Sequence, residues 1–183
     1  MGKTPIKKLI LISDINGLEN SKWMNLYEEI LSKEFEISTY CSLKLSEING
    51  DQTKEEIHTQ FVNGGIERAS QNLVKLESES ESVTIVAFSI GGAIAWKSAL
   101  KGMKLDYLYA VSSTRLRKEV DKPKGELKLI YGENDLHKPE DKWYQQMEII
   151  PRTLPDVGHD FYDKTDFIKQ FASQIIWASG IIH

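Results

Sequence analysis

Val83-Thr84-Ile85-Val86-Ala87-Phe88-Ser89-Ile90-Gly91-Gly92-Ala93-Ile94-Ala95 decides how the rest of the chain is to be read. Six residues suited to a strand buried on both faces end at a serine, and a run of small residues with helical spacing begins directly after it. A tight strand-to-helix turn leaves no room for side chains two positions before and two after its corner, and Ala87 and Gly91 occupy those positions. The Ser89 hydroxyl is then lifted clear of the sheet. The pattern is G-x-S-x-G with alanine in the first glycine slot. Alone it is also compatible with ordinary Gly-rich punctuation between a strand and a helix, so the rest of the chain has to bear on it.

Outward from this corner, short β-like and longer helical segments alternate. Lys7 to Ser13 reads as a strand, and Ser21 can cap a helix whose apolar positions Trp23, Leu26, Tyr27, Ile30 and Leu31 recur at three- and four-residue spacing. Glu36 to Cys41 reads as a second strand. Thr53-Lys54-Glu55-Glu56 is a capping box, and its helix runs to about Leu76 with a possible break at Gly64-Gly65. Ile57, Phe61, Ala69, Leu73 and Leu76 mark its inward face. The Glu/Ser run 77–82 reads as a solvated loop.

Beyond the corner, the helix after Ser89 extends to about Lys101, and Asp106 to Val111 and Leu127 to Tyr131 supply two further strands. Pro139 suits the first turn of a helix carrying Trp143, Tyr144 and Met147. Glu148 to Leu154, interrupted by Pro151, reads as an edge strand. Asp163 can cap a last helix with Phe167, Phe171, Ile175 and Ala178 inward, and Trp96, Trp143 and Trp177 read as core. The alternation predicts one domain over 1–183, a three-layer α/β/α sandwich around a mostly parallel sheet of about six strands.

Composition bounds the function. The 183 residues are 40% apolar and 27% charged, enough for a core. The net charge of −4 and the lack of a basic stripe exclude a nucleic-acid partner from the expectations. The lone Cys41 forms no internal disulfide and reads as a small buried hydrophobe, which fits a reducing cytoplasm. No apolar run approaches ~18 residues, so no membrane span is expected. The run Leu9 to Ile12 is too short for a signal segment, and Ile6 stands where a myristoylation motif at Gly2 would need Ser or Thr.

In a parallel sheet, ligands bind beyond the carboxyl ends of the strands. Tyr131-Gly132-Glu133-Asn134-Asp135-Leu136-His137-Lys138-Pro139 follows one strand, and Pro155-Asp156-Val157-Gly158-His159-Asp160-Phe161 follows the last. The chain order Ser89, Asp135, His159 is nucleophile, acid, base. With these segments in view the chain resembles the α/β-hydrolase family over essentially its whole length. Asp135 and His159 match the family's acid and histidine loops. The resemblance implies a lidless serine hydrolase: Ser89 attacks an acyl carbonyl, His159 moves the proton and Asp135 holds the imidazole tautomer. It places the oxyanion donors at the backbone N–H of Ile90 and Ile15. It requires no metal or cofactor and takes a small-molecule ester or thioester.

Alternatives remain open at this level. His137 rivals His159 as base and Glu133 rivals Asp135 as acid, while His58, His183, Asp160 and Asp163 read as solvated, loop or capping residues. Asn16 and Arg115 are candidate substrate contacts. Arg115 or Arg117, at the rim of the site, could meet an anionic substrate group or could be plain surface arginines. Most family members carry His-Gly after the first strand, and this chain has Ser13-Asp14-Ile15-Asn16-Gly17. Two readings follow. Either Asp14 braces the loop through an Asx-type turn onto the N–H groups of residues 16–18, or its charge faces Ser89 and the protein is a silent binding module. A peptidase or an acyltransferase would use the same residues. Ser112 to Gly125 is too short to be a lid domain, which predicts an open cleft.

Overall fold

The computed structural model describes residues 7–180; Gly2, Lys3, Ile6 and His183 lie outside the described residues. The strands are β1 (Lys7–Ile12), β2 (Phe35–Tyr40), β3 (Val83–Phe88), β4 (Leu105–Val111), β5 (Glu126–Gly132) and β6 (Arg152–Leu154). They form one sheet in the order β2-β1-β3-β4-β5-β6. Every pairing is parallel, so the sheet is more uniform than expected. The helices are α1 (Met24–Leu31), α2 (Ser42–Leu45), α3 (Lys54–Gln60), α4 (Ile66–Leu76), α5 (Ile90–Leu100), α6 (Asp141–Met147) and α7 (Thr165–Ala178).

Strand alternation explains the three layers. On β3, all of it buried, Val83, Ile85 and Ala87 join a core with α3, α4, α5 and α6, whereas Val86 and Phe88 point into a second core against α1 and α7. The strand therefore needs apolar residues at every position, which is why its sequence reads as a continuous run. Strand order reverses at β1, whose neighbours are β2 on one side and β3 on the other. The crevice at the carboxyl ends of β1 and β3 is thus the place where this topology opens a site.

Several local expectations change. The Thr53–Glu56 capping box is formed in both directions, and the break near Gly64-Gly65 is a π-turn over Phe61–Gly65 with Gly64 at φ +113°. Leu76, the last residue of α4, is 62% exposed rather than inward. Ser21 does not cap α1; its hydroxyl goes to Asp14 instead. Pro139 precedes α6 outside its first turn, with Glu140 as the capping residue. β6 keeps only three residues, since Glu148 turns left-handed (φ +51°) and Pro151 has no N–H to add to the ladder. Asp163 ends a short 3-10 turn rather than capping α7, and α7 buries Ile168, Phe171, Ala172 and Ile175 while Trp177 is 72% exposed. α2 has no expected counterpart. Cys41 is buried as a small hydrophobe.

Candidate active site

Ser89 sits at the β3–α5 corner with φ +50°, a left-handed conformation that costs a non-glycine residue energy and turns its side chain out of the sheet. The corner is held by the Ser89 N–H donating to Val111 O at 2.8 Å. A Cβ on Gly91 would lie 2.7 Å from the carbonyl oxygen of Ser13, so the glycine two residues on lets α5 pack directly against the end of β1.

Three loops converge on this corner. His159 Nε2 lies 3.1 Å from Ser89 Oγ, and His159 Nδ1 lies 2.7 Å from Asp135 Oδ2. The Asp135 side chain is 2% exposed and that of His159 is 33% exposed. Asp135 Oδ1 accepts the His137 N–H at 3.1 Å. Burial pushes the Asp135 carboxyl upward, but the hydrogen bonds from His159 and the His137 backbone outweigh it and hold the group below its ordinary value. Its charge therefore stabilises the fold above the ordinary carboxylate range, and that contribution is lost as pH falls through the lowered value. The Ser112 hydroxyl donates to His159 O at 2.6 Å and fixes the histidine loop. An imidazole held by a buried carboxylate and facing a serine hydroxyl can accept that hydroxyl's proton.

The rival assignments fall elsewhere. Glu133 is exposed and accepts the Asp156 N–H, away from His159. His137 gives its backbone N–H to Asp135 and is among the residues lining the cleft, as are His58 and Asp160.

Asp14 is 2% exposed and does not line the cleft; its neighbours Ile15 and Asn16 do. Its Oδ1 accepts the Asn16 N–H at 3.0 Å and the Ser21 hydroxyl at 2.9 Å, and its Oδ2 accepts Asn16 Nδ2 at 2.9 Å and the Tyr162 hydroxyl at 3.2 Å. Four donors occupy a carboxylate with about four lone-pair sites. Burial, with the nearby Asp14 charge, keeps the Tyr162 phenol protonated and donating. The Asx-type turn is thus present, closed by Gly17 at φ +71° with its N–H on Asp14 O. Ser13 and Ser42, the latter on α2, bind the same loop from below, with Ser42 Oγ 2.5 Å from Asp14 O. Asn16 gives its backbone N–H and one of its two side-chain N–H groups to Asp14.

Ile90 is the first residue of α5, so its N–H has no intrahelical acceptor. The Ile15 N–H donates to no backbone acceptor among the described residues. Both residues line a cleft of about 690 Å³ with Ser89 and His159. Its walls include Lys54, Glu55, His58 and Thr59 of α3 and Thr114, Arg115 and Arg117 of the 3-10 turn Thr114–Lys118. Tyr162 and Ser42 were not singled out from sequence, nor were the parts that Ser21, Ser112 and the α3 wall take in the site. They meet the site through contacts up to 148 residues apart, for which one sequence carries no local signal.

Asp14→Ala is expected to lower the urea midpoint and to slow any turnover about tenfold or more. It leaves the Tyr162, Ser21 and Asn16 donors unmatched, at about 1–3 kcal/mol per buried group. Equilibrium unfolding and steady-state rates check this together. A variant at least tenfold faster than the parent would mean that the carboxylate opposes the reaction.

The chain has the α/β-hydrolase fold: a six-stranded parallel sheet with helices on both faces and, among the described residues, no long lid. Structurally it is similar to a Klebsiella pneumoniae protein classed as a dienelactone hydrolase (TM-score 0.68, 12% identity, 100% of this chain and 90% of that one). It is also similar to a carboxylesterase of Nitrososphaera gargenis (0.64, 13%, 100% and 94%) and to Est1E from Butyrivibrio proteoclasticus (0.61, 13%, 98% and 91%). No protein-family model and no curated sequence matches it. At such identities the likeness shows the fold.

Proposed function

We propose that the protein is a serine hydrolase that cleaves a small ester or thioester through an acyl-enzyme on Ser89. The observation that carries this reading is the unbroken chain Ser89 Oγ, His159 Nε2, His159 Nδ1, Asp135 Oδ2, at 3.1 and 2.7 Å, at the mouth of a cleft. As Ser89 Oγ bonds to the acyl carbon, its proton passes to His159 Nε2. The tetrahedral oxyanion takes the N–H groups of Ile90 and Ile15, and the bond to the alcohol or thiol then breaks as that group receives the proton. Water, deprotonated by His159, attacks the acyl-serine. The acid leaves and Ser89 recovers its proton. Asp135 stays ionised throughout and stabilises the imidazolium.

The silent-module reading rested on an Asp14 charge facing the oxyanion. With Asp14 saturated by four donors outside the cleft, that objection falls away. The buried Cys41 thiol and the acidic chain support a cytoplasmic enzyme with a small-molecule substrate and no nucleic-acid partner.

Only the 3-10 turn Thr114–Lys118 occupies the segment after β4 where a lid would stand. The cleft gains a wall from α3 but no roof, so long acyl chains stay in water and forgo about 0.8 kcal/mol per methylene. A series of p-nitrophenyl esters tests the reading: kcat/KM is expected to be highest from acetyl to butyryl and flat or falling beyond. A steep rise to dodecanoyl would contradict the open cleft, and no turnover of any ester or acyl thioester would contradict the hydrolase.

A further inference from the structure

We infer that the cleft takes acyl substrates bearing an anionic group, a carboxylate or a phosphate, and that Arg115 receives it. The inference rests on the hydrolase reading for the reaction but not for the binding. Arg68 donates to Ser46 O and faces Glu47, Arg117 donates to Thr114 O and His137 O, and Arg152 donates to Gln174 Oε1. These are three of the chain's four arginines. Arg115, the fourth, is half-buried and lines the cleft with Ser89, and its guanidinium makes no hydrogen bond or ion pair with any described residue. A guanidinium partly withdrawn from water with its donors unspent is poised for an oxyanion, whose planar edge it can grip with two parallel hydrogen bonds.

The surroundings favour the same charge. The chain as a whole is at −4, yet its cleft carries Lys54, Arg115 and Arg117 against Glu55 and Asp160. Neither carboxylate pairs with Arg115, so its guanidinium stays unpaired in the cleft that the proposed nucleophile also lines. The nearby Asp14 and Asp135 charges are already matched by donors of their own.

The test compares monoethyl glutarate and ethyl 4-phosphonobutyrate with neutral ethyl valerate in a pH-stat, beside calorimetric titration of glutarate into Ser89→Ala protein. An anionic ester is expected to exceed valerate in kcat/KM at least tenfold at low salt. That preference is expected to shrink with added sodium chloride. Arg115→Gln should cut it at least tenfold and weaken glutarate binding, whereas Lys118→Gln, the same charge change on the exposed side of the same turn, should leave the preference intact. The two anionic esters decide between carboxylate and phosphate. Equal rates on charged and neutral esters, with no Arg115-dependent glutarate binding, would overturn the anion site and leave the hydrolase standing. Arg115-dependent glutarate binding without turnover of any ester would leave the site standing and overturn the hydrolase.

Discussion

Ser89→Ala is expected to fold as the parent does and to lose ester turnover by roughly 10⁴-fold or more, the scale on which single removals of a triad nucleophile act. The hydroxyl lies at the edge of the cleft and its recorded partner is His159 Nε2, so deleting it opens no core cavity. The corner itself is held by backbone: the Ser89 N–H on Val111 O and the Gly92 N–H on Ser89 O survive the substitution. Alanine must still adopt φ +50°, as serine does, so the thermal midpoint should move by a few degrees at most. Initial rates on p-nitrophenyl acetate and a thermal melt check both halves. Parental turnover by a folded variant would mean that the hydrolysis does not run through this hydroxyl.

Asp135→Asn is the second large effect, expected to lower kcat by roughly 10⁴-fold while the protein stays folded. The buried carboxylate accepts from His159 Nδ1 on one oxygen and from the His137 N–H on the other. An amide of the same size cannot accept on both sides. Either it turns its NH₂ toward Nδ1, which then becomes the acceptor and leaves Nε2 protonated against Ser89, or it turns the NH₂ into the His137 N–H. The first outcome removes the base and the second leaves two donors facing each other. Steady-state kinetics of the purified variant is the check. Activity within tenfold of the parent would point to a different acid, Glu133 first, although Glu133 is bound to the Asp156 backbone.

The parts of this site that sequence makes legible are those fixed by local chemistry. β3 is continuous in apolar residues because both of its faces are covered, and Gly91 follows Ser89 because a Cβ there would strike the Ser13 carbonyl. The Asp14 turn was legible for the same reason, as aspartate bonding the backbone two residues on is a property of the segment itself. What closes the Asp14 carboxylate was not. Tyr162 arrives from the histidine loop and Ser21 from the turn before α1, where its hydroxyl had a plausible competing use as a cap. α2 is four residues long, too short for periodicity to register, yet it carries the Ser42 that anchors the loop after β1. Trp177 misled because its size and apolar character suggest core, yet it stands in line with the exposed Gln170, Ser173 and Gln174 on the outward face of α7.

The most direct test of the account is to react the protein with a fluorophosphonate, digest it with trypsin and locate the adduct by mass spectrometry. The account predicts one adduct per chain, on Ser89 within the tryptic peptide Leu76–Lys97, with none in Ser89→Ala and a strongly slowed reaction in Asp135→Asn. An unlabelled parent, or a label on any other residue, would contradict it.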